Sequence, residues 1–111
     1  MINKAILSPN EKRAIELLKK KLMSRFNIIE MKLYGSKARG DHTPESDIDI
    51  MIELEERDYK LESDIFSVIY DINLENDVFI TPLFMSRRQI VEGPLSESPL
   101  YKSIKREGLS L

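Results

Sequence analysis

The sequence predicts an α/β fold, a small mixed sheet with flanking helices. Two kinds of segment alternate along the chain. Some carry apolar residues at helical spacing, as in 14–26 and 61–72. Others place an apolar residue at every second position, as in Ile29, Met31, Leu33 and Ile48, Ile50, Ile52. Cap and turn residues, among them Ser8-Pro9, Gly35, Gly93-Pro94 and Ser98-Pro99, fall between these segments. The chain has 111 residues, the size of one domain with one modest core, so residues 1–111 are read as a single domain.

Composition narrows the function classes. The formal net charge is −2 with 32% charged residues, so an extended nucleic-acid face is not expected. The absence of cysteine excludes disulfides and thiolate-ligated metal, and the single histidine excludes a multi-histidine zinc site. No apolar run approaches a membrane span, and the N-terminus lacks a signal-peptide pattern. The expectation is a soluble cytoplasmic protein with no membrane association.

After a short lead-in over residues 1–7, Ser8-Pro9-Asn10-Glu11 opens a helix: Ser8 as N-cap, Pro9 in the first turn and Glu11 completing a capping box. Ala14, Ile15, Leu18, Leu22 and Phe26 form its apolar side. Lys19, Lys20 and Lys21 form a basic cluster, read as a solvated face or as a grip for triphosphate or RNA. Asn27 ends this helix and 28–34 is a strand. Lys37 to Gly40 fits a helical turn, and Asp41 to Ser46, with His42 and Pro44, a loop. Residues 47–55 form the second strand, with Glu53 and Glu55 expected to face solvent at its far end. A helix follows over 58–73, with Leu61, Ile65, Ile69 and Ile72 toward the core, then a turn at Glu75-Asn76. The third strand is 78–84, where Pro82 implies an edge position or a bulge. Ser86 caps a short helix through Glu92. Ser98-Pro99 opens the last helix and Gly108 closes it. The apolar residues Ile90, Val91, Leu95, Leu100, Tyr101 and Ile104 serve the core or a partner.

The candidate site is the stretch from Gly35 to Ile50. Along a strand Asp47 and Asp49 point the same way, while Ile48, Ile50 and Ile52 point into the core. Two like charges on one face gain nothing for folding; they suit a hard cation such as Mg²⁺, which takes carboxylates together with substrate phosphates. Upstream, Gly35 allows close backbone approach, and Ser36 offers a hydroxyl and an N–H to phosphate. Lys37 and Arg39 are phosphate partners or surface cations. His42 is a surface residue or a phosphate contact, and Tyr34 a half-buried strand residue or a neighbour of the nucleotide.

Gly35-Ser36, ten intervening residues, then Asp47-x-Asp49 resembles the signature of the nucleotidyltransferase superfold shared with DNA polymerase beta. Within it, this short chain resembles the minimal nucleotidyltransferases (MNT) that pair with HEPN-domain proteins. The resemblance implies a polymerase-beta-like core and two Mg²⁺ ions held by Asp47, Asp49 and a third acid on a neighbouring strand. It implies transfer of a nucleoside monophosphate, AMP from ATP, to a hydroxyl acceptor. The acceptor it implies is a tyrosine of a HEPN toxin, with this chain as antitoxin. Asp77 is the candidate for the third acid, as catalytic residue and metal ligand. The middle of its strand, Phe79-Ile80-Thr81, carries no acid, so Asp77 reads equally as a turn residue. In that case the chain would be a weak or inactive module that neutralises its partner by contact.

Overall fold

The computed structural model describes residues 7–41 and 47–111. His42, Ser46 and the rest of that loop, like the first six residues of the lead-in, lie outside the described residues. The elements are α1 (Pro9–Arg25), β1 (Glu30–Tyr34), α2 (Ser36–Arg39), β2 (Ile48–Leu54), α3 (Tyr59–Asn76), β3 (Ile80–Ser86), α4 (Arg87–Glu92), a 3₁₀ turn (Pro94–Glu97), α5 (Pro99–Glu107) and β4 (Leu109–Ser110). The sheet order is β3-β2-β1-β4. β1 is antiparallel to β2 and β4, and β2 is parallel to β3, so the sheet is mixed. Among the described residues no helix is long and apolar enough to cross a membrane.

Alternation along β2 sorts side chains onto two sheet faces. Ile48, Ile50, Ile52 and Leu54 join Met31 and Leu33 of β1 under α1 and α3, where Leu18, Leu22, Ile65 and Ile72 complete the main core. The opposite face carries Asp49, Met51 and Glu53. Met51 packs with Met85 and Ile104, flanked by Tyr34, Leu83, Ile90, Leu95 and Tyr101. The C-terminal segment thus covers much of the face that bears the carboxylates, and most of its apolar residues serve the core. Val91 and Leu100 stay exposed.

Several boundaries differ from the sequence reading. The expected turn at Glu75-Asn76 is the last turn of α3, and Asp77 is its C-cap in the left-handed region, φ 53°. β3 begins at Ile80 and runs to Ser86. Glu53, expected to face solvent, is 4% exposed and paired with Arg87, because α4 folds over that end of the sheet. Glu55 is exposed as expected. The two-residue β4, unforeseen in the sequence, adds to the free side of β1.

β3 is an edge strand, as Pro82 implied. Its exposed side is blunted twice. Asn73 accepts from the Ile80 N–H at 2.9 Å and donates to the Ile80 carbonyl at 3.2 Å. Two residues on, Pro82 has no N–H to offer. Both devices deter pairing with a foreign strand.

At the same end of the sheet, α1 starts with the expected capping box between Ser8 and Glu11. Glu11 has a second role. Its carboxylate meets the Lys37 ammonium at 2.7 Å, and Lys37 is only 2% exposed. Burial pushes the Glu11 carboxyl up, but the Lys37 hydrogen bond, the Ser8 donors and the lysine charge outweigh it and hold the group below the usual range.

Glu11→Gln keeps the cap acceptor and removes the charge, leaving a buried ammonium without its partner. We expect a loss of about 3 kcal/mol in urea unfolding, the low end for breaking a buried pair because Glu11 keeps some solvent contact. A carboxyl with a depressed folded-state pKa stabilises above its unfolded value and loses that contribution as pH falls through the folded value. The wild-type curve should therefore fall on the acid side, and Glu11→Gln should flatten that limb.

Candidate functional site

β1 delivers its last residue, Tyr34, directly opposite Asp49 of β2. The next residue, Gly35, turns the chain with φ 77° and ψ −158°, a region essentially restricted to glycine. An ideal Cβ at Gly35 would stand 2.6 Å from Asp49 Oδ2. The carboxylate therefore occupies the space that any other residue would fill, and the glycine is required by both its backbone angle and its neighbour.

The remaining carboxylate oxygen is held from the other side. Thr81, aligned with Asp49 across the parallel β2–β3 pair, donates its hydroxyl to Asp49 Oδ1 at 2.9 Å. Tyr34 borders the same group: burial pushes its phenol pKa up, and the negative Asp49 adds to that. The sequence reading missed Thr81. Its only signal was a polar residue within an otherwise apolar strand, and linking it to Asp49 requires the β2–β3 register.

Ser36 to Arg39 form one helical turn, with the N–H groups of Ala38 and Arg39 both donating to the Gly35 carbonyl at 3.1 Å. The N–H groups of Ser36 and Lys37 precede the first intrahelical bond and have no acceptor within the turn. Among the described residues the Ser36 hydroxyl makes no hydrogen bond to protein, so it is available to a ligand. Gly40 closes the turn in the left-handed region at φ 84°.

The other expected site residues are dispersed. Asp47 lies immediately before β2 and is exposed. The Lys37 ammonium is committed to Glu11. Arg39 is solvent-exposed and bridges two carboxylates, Asp41 at 3.1 Å and Glu107 of α5 at 3.7 Å; the Asp41 hydrogen bond and charge, with Glu107 adding to them, raise its pKa. Asp77 caps α3 ahead of β3. Among the described residues no three His, Asp or Glu side chains gather closely enough to hold a metal ion by themselves. At the opposite end of β2 a cleft of about 460 Å³ is lined in part by Arg57 and Arg88. Each is already paired, Arg57 with Glu62 and Arg88 with Glu56.

Residues 15–106 match the profile of the family described as "Nucleotidyltransferase domain", and the chain belongs to that family. It is similar, at 43% identity over 51 residues, to a Methanocaldococcus jannaschii chain named "Putative protein adenylyltransferase". That match covers 46% of this chain and 51% of the relative, so the alignment spans about half the relative's length. Among solved structures, a "putative nucleotidyltransferase from Sulfolobus solfataricus" aligns with a TM-score of 0.48 and 21% identity, over 91% of this chain and 75% of that one.

Gly35→Ala should cost more than the about 1–3 kcal/mol of its backbone conformation alone, because the new methyl meets Asp49. Combining it with Asp49→Ala should recover the collision part and leave the backbone part. Urea unfolding of the two single variants and the double variant measures this coupling. Additive losses would mean that Asp49 does not press on Gly35.

Proposed function

We propose that this nucleotidyltransferase-family chain transfers AMP from ATP to a protein hydroxyl. The proposed acceptor is a tyrosine of a HEPN-domain partner, which the protein thereby silences as an antitoxin. The observation that carries the reading is the Asp49 carboxylate, fixed by Thr81 at the Gly35–Ser36 turn. The relative named as a protein adenylyltransferase supports a protein acceptor.

The donor set suits Mg²⁺. Asp47 and Asp49 supply hard oxygens two residues apart on one strand path, and phosphates and water complete such a shell. We assign Asp47 and Asp49 as the residues that would hold it. The metal would neutralise charge on the α-phosphate and ease deprotonation of the acceptor hydroxyl. The chain's own groups do the positioning. Ser36, through its hydroxyl and the N–H groups that find no acceptor within the turn, binds the β- and γ-phosphates, and Arg39 reaches them on releasing Asp41. Lys37, held by Glu11, anchors the turn from within the fold. The acceptor oxygen forms a bond to the α-phosphorus as the bond to the β-phosphate oxygen breaks, and pyrophosphate leaves.

A second reading rests on Asp77. As a left-handed helix cap it suits a turn role, and with it the notion of a binding module that neutralises its partner by contact alone. Label from α-labelled ATP, followed onto a co-expressed HEPN-domain protein with and without Mg²⁺, separates the two. We expect Asp49→Asn to abolish labelling. Ser36→Ala should weaken ATP binding by about 1–2 kcal/mol with little change in stability. Asp77→Asn should leave labelling nearly intact if the residue only turns the chain; as a general base, its loss would slow transfer about 10²–10⁴-fold. Wild-type protein that labels nothing yet inhibits its partner, with Asp49→Asn inhibiting equally, would establish the contact reading.

A further inference from the structure

The outward side of α3 is unusual for a surface helix. Tyr59, Phe66, Tyr70 and Leu74 follow one another at intervals of seven, four and four residues, which places them on one stripe away from the core residues Ile65 and Ile72, with the Phe66 ring also meeting Phe84 of β3 edge-on at 5.7 Å. They are 89%, 51%, 64% and 67% exposed. Beside the C-terminal half of this stripe stand Asp71, Glu75 and Asp77. None has an ion-pair partner among the described residues, and the last turn of α3 contains no basic residue. Carboxylates at a helix C-terminus oppose the macrodipole. This end of α3 gains from a cationic neighbour that the rest of the described chain does not supply.

The chain carries the matching surface on the neighbouring helix. α1 packs beside α3 on the same sheet face and exposes Lys12, Lys19, Lys20 and Met23. These lysines have no ion-pair partner among the described residues either. Glu16 is the one exposed acid of that helix, since Glu11 is turned inward to Lys37. Two adjacent helices of opposite character, on one layer, make a self-complementary patch: a two-fold axis lying in the plane between two such layers, oblique to the helices, crosses the basic helix of each copy over the acidic, aromatic helix of the other.

We propose that two copies of this chain pair through the α1–α3 layer, Lys19 and Lys20 of one copy lying against Asp71, Glu75 and the Tyr70 ring of its partner. Aromatic anchors and lysines stacked on them give such a contact its energy. Strand addition at β3, the edge beside α3, is closed by Asn73 and Pro82, which leaves the helices as the contact on that side.

Sedimentation of the full chain across micromolar to millimolar concentration, at low and high salt, provides the test. We expect the mass to double with concentration and the dimer to weaken as salt rises. Phe66→Ser with Tyr70→Ser should weaken the dimer at least about tenfold. Two charge variants, Lys19→Glu with Lys20→Glu and Asp71→Lys with Glu75→Lys, should each remain monomeric. Mixing these two should restore a dimer, since each α1 then again meets an α3 of opposite sign. Unfolding cannot produce that rescue, and circular dichroism confirms the fold of each variant. A wild-type chain that stays monomeric throughout overturns the proposal. So does a dimer that survives both charge variants, or a mixture that does not pair. Binding of a different lysine-rich protein to the Phe66–Tyr70 face of a monomeric chain would assign the surface to that partner and likewise reject self-pairing.

Discussion

The site depends on a contact that only a missing side chain permits. Asp49 and Gly35 come together because β1 and β2 are antiparallel and in a register that sets Tyr34 opposite Asp49. The strand end then turns across the carboxylate with no atom to spare. Thr81 closes the third side through the parallel neighbour β3. Three strands thus each contribute one element to a single carboxylate. The mixed order of the sheet makes this possible, since the end of β1 and the starts of β2 and β3 meet at one end of the sheet.

A second long-range contact supports the first. The turn after Gly35 is only four residues long, too short to hold itself in water. The Lys37–Glu11 pair ties it to the first turn of α1, and Arg39 reaches across to Glu107 of α5. The cationic residues beside the turn are therefore partly engaged in fixing it. A buried lysine in a glycine-rich turn has the same one-letter signature as a phosphate ligand. Only the position of Glu11, twenty-six residues earlier in the chain, distinguishes a structural cation from a free one.

The fold class, the order of helices and strands, the α1 cap and the edge position of Pro82 were legible in the sequence because each rests on local chemistry: period, capping residues and a missing N–H. The features that were not legible depend on tertiary partners. Glu53 continued an acidic alternation, and its burial against Arg87 follows from α4 folding back over the sheet. β4 is too short to show a pattern and exists only through pairing with β1. The Gly35-Ser36 and Asp47-x-Asp49 pattern stood out by spacing, yet Thr81 became part of the arrangement only once the β2–β3 register was known. Asp77 illustrates the same limit: it is three residues before the strand in sequence, but its left-handed backbone makes it the end of a helix.

The clasp between Asn73 and Ile80 has a dynamic consequence. A peptide group on a sheet edge normally exchanges its hydrogen with solvent whenever the edge breathes. Here the Ile80 amide and carbonyl are both held by one side chain of the preceding helix, so release requires the last turn of α3 to unwind. The end of the helix and the start of the strand then open as one cooperative unit. Slow exchange at an edge amide would report the fraying of a helix rather than that of a sheet.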